Sequence, residues 1–319
     1  MKKNVRCDLA VEAHEMLEEE NSALDGIDME TEDVNGYIYI TRVRVKTKQG
    51  EQSIGKKIGS YVTVEMPKRF YGEQKIYEEM CQTCAAELKK LVQRFLPDKN
   101  SSVLVIGLGN RNITADALGP KVIKSLMITR HLIEYIPEEI DERIRPVCAA
   151  TPGVLGLTGI ETGEIIKGLT DRIKPDLVIA IDALCSHKVE RINTTVQFCD
   201  TGITPGEGIG NKRRTIDEEG LGVPVIAIGV PTVVNAATIA REAIESVADK
   251  LKESSGIEIS DSNKAEKTVY DITSEMFGNL IVAPKEVDSV IDDISHVIAN
   301  GINIALHEGI TMEDIDRYV

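Results

Sequence analysis

Residues 103–110 read VLVIGLGN, an apolar run that ends in two closely spaced glycines. Three comparable runs follow along the chain: RPVCA at 145–149, DLVIAI at 176–181 and VPVIAI at 223–228. Uninterrupted apolar runs are typical of strands that are covered on both faces, as in a parallel sheet. Helical patterns lie at 121–135, 161–173 and 234–252. The alternation predicts an α/β fold with a largely parallel sheet flanked by helices.

Outward from this core, the first hundred residues are highly charged and predict an α+β portion. A helix is expected over 9–21, strands at 37–40 and 61–64, and a helix over 73–96 that ends before Pro97. Beyond the core, 254–273 reads as an irregular excursion, 280–283 as a short strand and 285–307 as a helix. The sequence thus predicts one α/β domain over 9–319, with its core at about 101–306.

Composition restricts the classes of partner. The 319 residues carry a net charge of −15 and are 42% hydrophobic. A negative field of this size opposes binding to nucleic acid or to an anionic membrane. The chain start lacks the apolar stretch of a signal peptide, no run is suited to span a bilayer, and the six cysteines are scattered, so we expect reduced thiols in a cytoplasmic protein.

Two aspartates stand where the predicted strands end. Asp182 directly follows the run at 177–181, and Asp116 lies in the loop that leaves the run at 103–107. Because ligands bind at the carboxyl edge of a parallel sheet, the two carboxylates are expected to converge there. Such a pair can divide its work, with one ionised to deprotonate water and the other protonated to polarise a carbonyl. Alternatively, Asp116 caps the next helix and Asp182 bonds to a turn; the residues alone leave both open.

Two further segments are candidates for substrate binding. The loop at 151–159, with Gly153 near its start, suits the same edge and either lines a groove or allows tight packing. The basic run of Lys212, Arg213 and Arg214 stands out in an acidic chain. It is either a solvated loop or an arm that attracts an acidic peptide.

Several segments together resemble one known family. The chain is similar to the germination protease of bacterial spores in the order in which these motifs occur, at 5–13, 112–121, 152–154, 158–162, 178–184, 210–213, 229–234 and 284–288. The resemblance runs along nearly the whole chain. Ala115 stands where the family motif usually has proline, and the segment before Leu9 is short.

The resemblance implies an atypical aspartic endopeptidase whose core is related to hydrogenase maturation proteases. It places the catalytic pair at Asp116 and Asp182 and implies neither a metal nor another cofactor. Family members are homotetramers made as self-processing precursors, and at germination they begin the degradation of small acid-soluble spore proteins. The implied location is the cytoplasm of the forespore, or spore core.

The resemblance also suggests a processing site. Family substrates are cut after an acidic residue and before a bulky apolar residue followed by alanine, and Asp8, Leu9 and Ala10 have this order. We therefore expect residues 1–8 to be a propeptide that is released by cleavage of the Asp8–Leu9 bond. Its place near the chain start predicts an accessible bond. Alternatively, Asp8 caps the first helix.

Two other functions remain open at this stage. One is a metal-dependent maturation endopeptidase of related fold. The other is a non-catalytic α/β module that binds a small ligand at the strand edge.

Overall fold

The computed structural model describes residues 7–19, 24–67, 73–96, 98, 100–208, 213–255, 272–273, 276 and 280–315. Within these residues, nine strands form one mixed sheet in the order β1-β2-β3-β7-β8-β6-β4-β5, and β9 pairs with the end of β8. The strands are β1 (Ile27–Asp33), β2 (Tyr39–Val45), β3 (Gly59–Glu65), β4 (Val103–Gly107), β5 (Val147–Ala150), β6 (Leu177–Ser186), β7 (Thr195–Cys199), β8 (Val225–Asn235) and β9 (Ile281–Val282).

The sheet has two halves with different pairing. In the parallel half, β5, β4, β6 and β8 run in the same direction. In the antiparallel half, β1, β2, β3 and β7 alternate in direction. An antiparallel pairing of β7 with β8 joins the halves, so the charged N-terminal portion continues the same sheet.

Helices cover both faces of the sheet. They are α1 (Ala10–Glu19), α2 (Lys48–Ile54), α3 (Gln74–Phe95), α4 (Leu118–Lys124), α5 (Arg130–Tyr135), α6 (Leu155–Thr158), α7 (Thr162–Ile173), α8 (Glu218–Leu221), α9 (Ala236–Ser255), α10 (Val287–Leu306) and α11 (Met312–Ile315). On one face α3, α4 and α10 enclose the largest apolar cluster. On the other face, α1 packs on the antiparallel half and α7 on the parallel half.

Most predicted elements of the core are present. The four apolar runs are the parallel strands β4, β5, β6 and β8, and helices follow three of them as expected. The N-terminal portion is α+β, although β1, α2 and β7 were not predicted. Cys81 and Cys84 are buried in the middle of α3, as packing residues should be. None of the described helices is long and apolar enough to cross a bilayer.

The prediction of one helix over 121–135 was wrong, because α4 ends at Lys124 and α5 begins only at Arg130. The backbone N–H of Met127 donates to Asn303 of α10, and that of Thr129 donates to the carbonyl of Val147 in β5. These tertiary hydrogen bonds replace those that a continuous helix would make. The excursion predicted at 254–273 lies mostly outside the described residues, and α9 extends through its first two positions.

Candidate active site

Asp182 lies inside β6 rather than at its end, which corrects the sequence-based placement. The strand continues to Ser186 because β8 pairs with it along this whole length. Its other neighbour, β4, ends opposite Ile181, so the crevice opens beside Asp182 all the same. Asp182 is only 5% exposed.

A row of residues crosses three strands at this level. Asp182 of β6 pairs with Gly229 of β8, which in turn pairs with Gln197 of β7. Residues in one row project to the same face, and strands are about 4.8 Å apart, so Asp182 and Gln197 stand roughly 10 Å apart across a glycine. Their side chains thus border a trough on the face covered by α1.

Asp116 reaches the same crevice from the loop after β4. It ends a short 3-10 turn, Thr114–Asp116, directly before α4, and its carboxylate accepts the backbone N–H of Asn110 at 2.8 Å. The hydroxyl of Thr232 in β8 donates to the carbonyl of Ala115 at 2.6 Å and so ties this turn to the sheet. Gly109 passes so close that a Cβ there would lie 2.0 Å from the carbonyl oxygen of Asp116.

The two carboxylates have unequal environments. Burial raises the pKa of Asp182 well above its ordinary value of 3.8, and the charge of Asp116 raises it further. Burial also raises the pKa of Asp116, but the N–H of Asn110 opposes the rise. The two acids are therefore close enough to interact electrically.

The segment around Asp8 lies in this site. The backbone N–H of Cys185 donates to the Asp8 carboxylate at 2.8 Å, and a Cβ on Gly208 would lie 2.1 Å from the same oxygen. The carbonyl of Asp8 accepts hydrogen bonds from Lys56 Nζ at 3.0 Å and from Gln197 Nε2 at 3.2 Å. Burial raises the pKa of Asp8, while the Lys56 ammonium opposes that rise. The Asp8 carboxylate is thus bound to β6, three residues beyond Asp182.

The expectation of an accessible Asp8–Leu9 bond was wrong. Asp8 is half-buried and Leu9 is fully buried in the apolar cluster beneath α1. The reason is that Cys7 and Leu9 pack in an apolar cluster with residues of the antiparallel half, so the segment 7–9 is bound to the sheet instead of projecting into solvent. The observed hydrogen bond of the Asp8 carboxylate goes to β6, not to the first turn of α1.

Helix α1, directly after this bond, is anchored by side chains of its own. The buried Glu12 accepts the hydroxyl of Ser186 at 2.6 Å and the backbone N–H of His187 at 2.9 Å. Glu15 forms a two-pronged ion pair with Arg191. These contacts all lie beyond Leu9, and Cys7 adds one from before it, since its Sγ donates to Glu12 at 3.1 Å.

The other predicted residues fall into two groups. Gly153 lines a cavity of about 120 Å³ together with Gly109, Arg111 and Pro120, so it adjoins the Asp116 loop. Arg213 pairs with Glu161 at 3.4 Å and Arg214 with Glu164 at 3.9 Å, which places both beside α7. Lys212 lies outside the described residues.

The comparisons with known proteins agree with one another. A family model for the germination protease matches residues 6–278 and 247–319. The chain is 46% identical over 325 residues to the germination protease of Clostridium acetobutylicum, covering 99% of both chains. It is 38% identical to that of Bacillus mycoides, covering 99% of this chain and 97% of the relative.

The chain belongs to the germination protease family. It is therefore a protease, and a non-catalytic module is set aside. A solved structure of a nickel–iron hydrogenase maturation protease from Thermococcus kodakarensis covers 44% of this chain and 80% of its own, at 21% identity and a TM-score of 0.29. This likeness is too slight to support an argument about mechanism.

Metal-binding side chains are not grouped in this member of the germination protease family as far as the described residues extend. Among them, no three His, Cys, Asp or Glu side chains are arranged to hold a metal ion. The carboxylates of Asp116, Asp8 and Asp182 accept the backbone N–H groups of Asn110, Cys185 and Ala183, respectively.

Sequence reasoning missed Lys56 and Gln197. Lys56 stands in the loop between α2 and β3, and Gln197 is the polar residue of a short buried strand. A lone amide in an apolar strand, at TVQFC, is the one local signal that could have directed attention to Gln197.

Proposed function

We propose that this chain is a two-aspartate, metal-independent endopeptidase that processes its own N-terminus at the Asp8–Leu9 bond. One observation carries the proposal: the Asp8 carboxylate is bound to β6 beside a buried and a half-buried carboxylate that interact electrically. An acid at this position, followed by a buried leucine and an alanine, presents the order expected of the family's substrates.

We assign the roles from the unequal burial of the pair: Asp182 is buried, Asp116 is half-buried, and burial raises the pKa of Asp182 well above its ordinary value. In this proposal Asp116 acts as the base that takes a proton from water, and the protonated Asp182 polarises the reacting carbonyl through a hydrogen bond.

In the proposed mechanism, hydrolysis proceeds in two steps. The water oxygen bonds to the carbonyl carbon of Asp8 as Asp116 takes one of its protons. The C–N bond next breaks, and the nitrogen of Leu9 leaves with a proton from the pair. The products are a new carboxyl group on Asp8 and a new amino group on Leu9. Leu9 remains joined to α1, which the contacts of Glu12 and Glu15 hold in place.

The same site would cut small acid-soluble spore proteins at matching sequences in the spore core, in line with the family. A homotetramer is proposed on the same ground. Helix α9 also presents exposed apolar side chains at Ile239, Ile244 and Val247, a surface that assembly would cover.

The test is incubation of the purified protein with a small acid-soluble spore protein, followed by mass spectrometry of the products. We expect cuts after acidic residues that precede a bulky apolar residue and alanine. Asp182→Asn is the matched control and should yield no fragments. Fragments from the Asp182→Asn protein, or cuts without this pattern, would contradict the proposal.

A further inference from the structure

Two side chains point their donors at one carbonyl oxygen, that of Asp8. Lys56 Nζ lies 3.0 Å and Gln197 Nε2 lies 3.2 Å from it. This is the carbonyl of the bond proposed to be cut, so both donors lie where negative charge develops when water adds to the carbon. Neither residue belongs to the pair of acids.

Gln197 spans the bond from one side to the other. Its Oε1 accepts the backbone N–H of Ala10 at 2.7 Å, while its Nε2 donates to the carbonyl of Asp8. A backbone N–H can only donate and a carbonyl can only accept, so these partners fix which end of the amide faces which group. One planar side chain thus holds the peptide groups on both sides of Leu9, the first of which contains the Asp8–Leu9 bond.

Lys56 adds a positive charge to the same oxygen. Its ammonium also donates to the carbonyl of Cys7 at 2.6 Å, one residue before Asp8. Within the described part of the chain, no carboxylate lies at ion-pair distance from Lys56, whereas the neighbouring Lys57 is paired with Asp217. The ammonium of Lys56 is therefore directed at the main chain around the bond.

We propose that Lys56 and Gln197 form the oxyanion site of this protease, stabilising the charge on the Asp8 carbonyl oxygen as water adds to its carbon. The inference rests on the proposed function, since it takes Asp8–Leu9 as the reacting bond. It assigns the antiparallel half of the sheet a direct part in the chemistry. Removal of one such donor in other hydrolases slows the reaction by about 100- to 1000-fold.

The test is the first-order rate of self-cleavage of the full chain, followed by intact mass after mild acidification. Lys56→Met and Gln197→Met should each slow the loss of residues 1–8 by about 100-fold or more. Lys57→Met, which removes an equal charge one residue away, should cleave at the wild-type rate. Lys56→Arg keeps the charge and should retain most of the rate.

The Gln197→Glu variant distinguishes a catalytic role of Gln197 from a purely structural one. It keeps an acceptor for Ala10 and nearly the same size, but it loses the donor to the Asp8 carbonyl. A slow Gln197→Glu protein with a wild-type thermal midpoint supports the oxyanion role. Wild-type rates in Lys56→Met and in both Gln197 variants would overturn this inference alone, whereas a wild type that leaves Asp8–Leu9 intact would overturn the proposed function with it.

Discussion

The two halves of the sheet contribute different groups to the proposed site. The parallel half supplies the acids, with Asp182 inside β6 and Asp116 on the loop after β4. The antiparallel half supplies the donors, with Gln197 on β7 and Lys56 just before β3, and it buries Leu9. The row from Asp182 through Gly229 to Gln197 is where the halves meet.

This difference shows why the two halves need each other. The parallel half has an open edge where β4 ends, beside the buried Asp182 and the half-buried Asp116, and we propose that water and the reacting carbonyl meet the acids there. The antiparallel half binds an extended main-chain segment through side-chain donors and an apolar cluster. In this account the acid–base chemistry depends on the parallel half, while the antiparallel half places the peptide and stabilises its carbonyl oxygen, so each contribution can be perturbed separately.

Replacement of either acid of the parallel half should cause the largest loss of peptidase activity. Asp116→Asn and Asp182→Asn should each fold normally and lose at least about 100-fold in peptidase activity, because each substitution removes a needed protonation state. EDTA should leave the wild type unaffected. The measurement is the initial rate of peptide cleavage, with circular dichroism as the folding control; full activity in either folded variant would refute the assignment.

Two glycines beside the Asp116 loop, Gly109 and Gly153, allow a matched pair of substitutions. Gly109→Ala would place a Cβ 2.0 Å from the backbone of Asp116 and should displace that acid, lowering activity about tenfold or more. At Gly153 the nearest contact of a Cβ is Thr158 at 3.6 Å, so Gly153→Ala should cost only the strain of a left-handed residue.

Both glycines have positive φ, of 102° and 77°, so the strain is shared and the difference isolates the collision with Asp116. Cleavage rates and thermal midpoints of the two variants decide the matter. Equal activity losses would mean that displacement of Asp116 is not the cause.

The pH dependence of the free energy of unfolding should show whether Asp182 is protonated in the folded protein. Because folding raises its pKa, the folded chain keeps a proton that the unfolded chain releases above about pH 4. The free energy of unfolding should then fall as pH rises from that value towards the folded pKa, by at most about 1.4 kcal/mol per pH unit.

Asp182→Asn cannot ionise and should therefore be more stable than the wild type at pH 8, with the gap closing near pH 4. Urea denaturation at both pH values measures the gap. A difference that does not change with pH would contradict a raised pKa at Asp182.

The smallest effect is expected at the basic run. Arg213→Gln and Arg214→Gln together should raise KM less than about threefold and flatten its dependence on salt, because these exposed charges are already paired with Glu161 and Glu164. KM at low and high ionic strength tests this. An unchanged KM at both would leave the run as a solvated loop.

Much of the parallel half could be predicted from sequence, since its strands are uninterrupted apolar runs and its acids directly follow or leave them. Asp116 and Asp182 were proposed as candidates on this basis, and the family resemblance implied that they are the catalytic pair. The end of β6 was misplaced because a buried aspartate reads locally as a strand terminus, while the pairing with β8 carries the strand onward.

The antiparallel half gave weaker signals. Charged residues interrupt β1 and β2, and the contacts of this half join distant residues: Gln197 and Asp8 are 189 positions apart, and Lys56 and Asp8 are 48 apart. No local pattern shows that these side chains meet at one carbonyl. The burial of Leu9 was likewise missed, because it depends on strands that lie elsewhere in the sequence.

The central claim is that the Asp8–Leu9 bond occupies the two-aspartate site as its own substrate. The most direct test is the N-terminal sequence and intact mass of the wild type and of Asp182→Asn after mild acidification or dehydration. We predict a wild-type chain that begins Leu9-Ala10-Val11-Glu12 and an Asp182→Asn chain that stays full length. A new N-terminus elsewhere, or cleavage that persists in Asp182→Asn, would contradict the account.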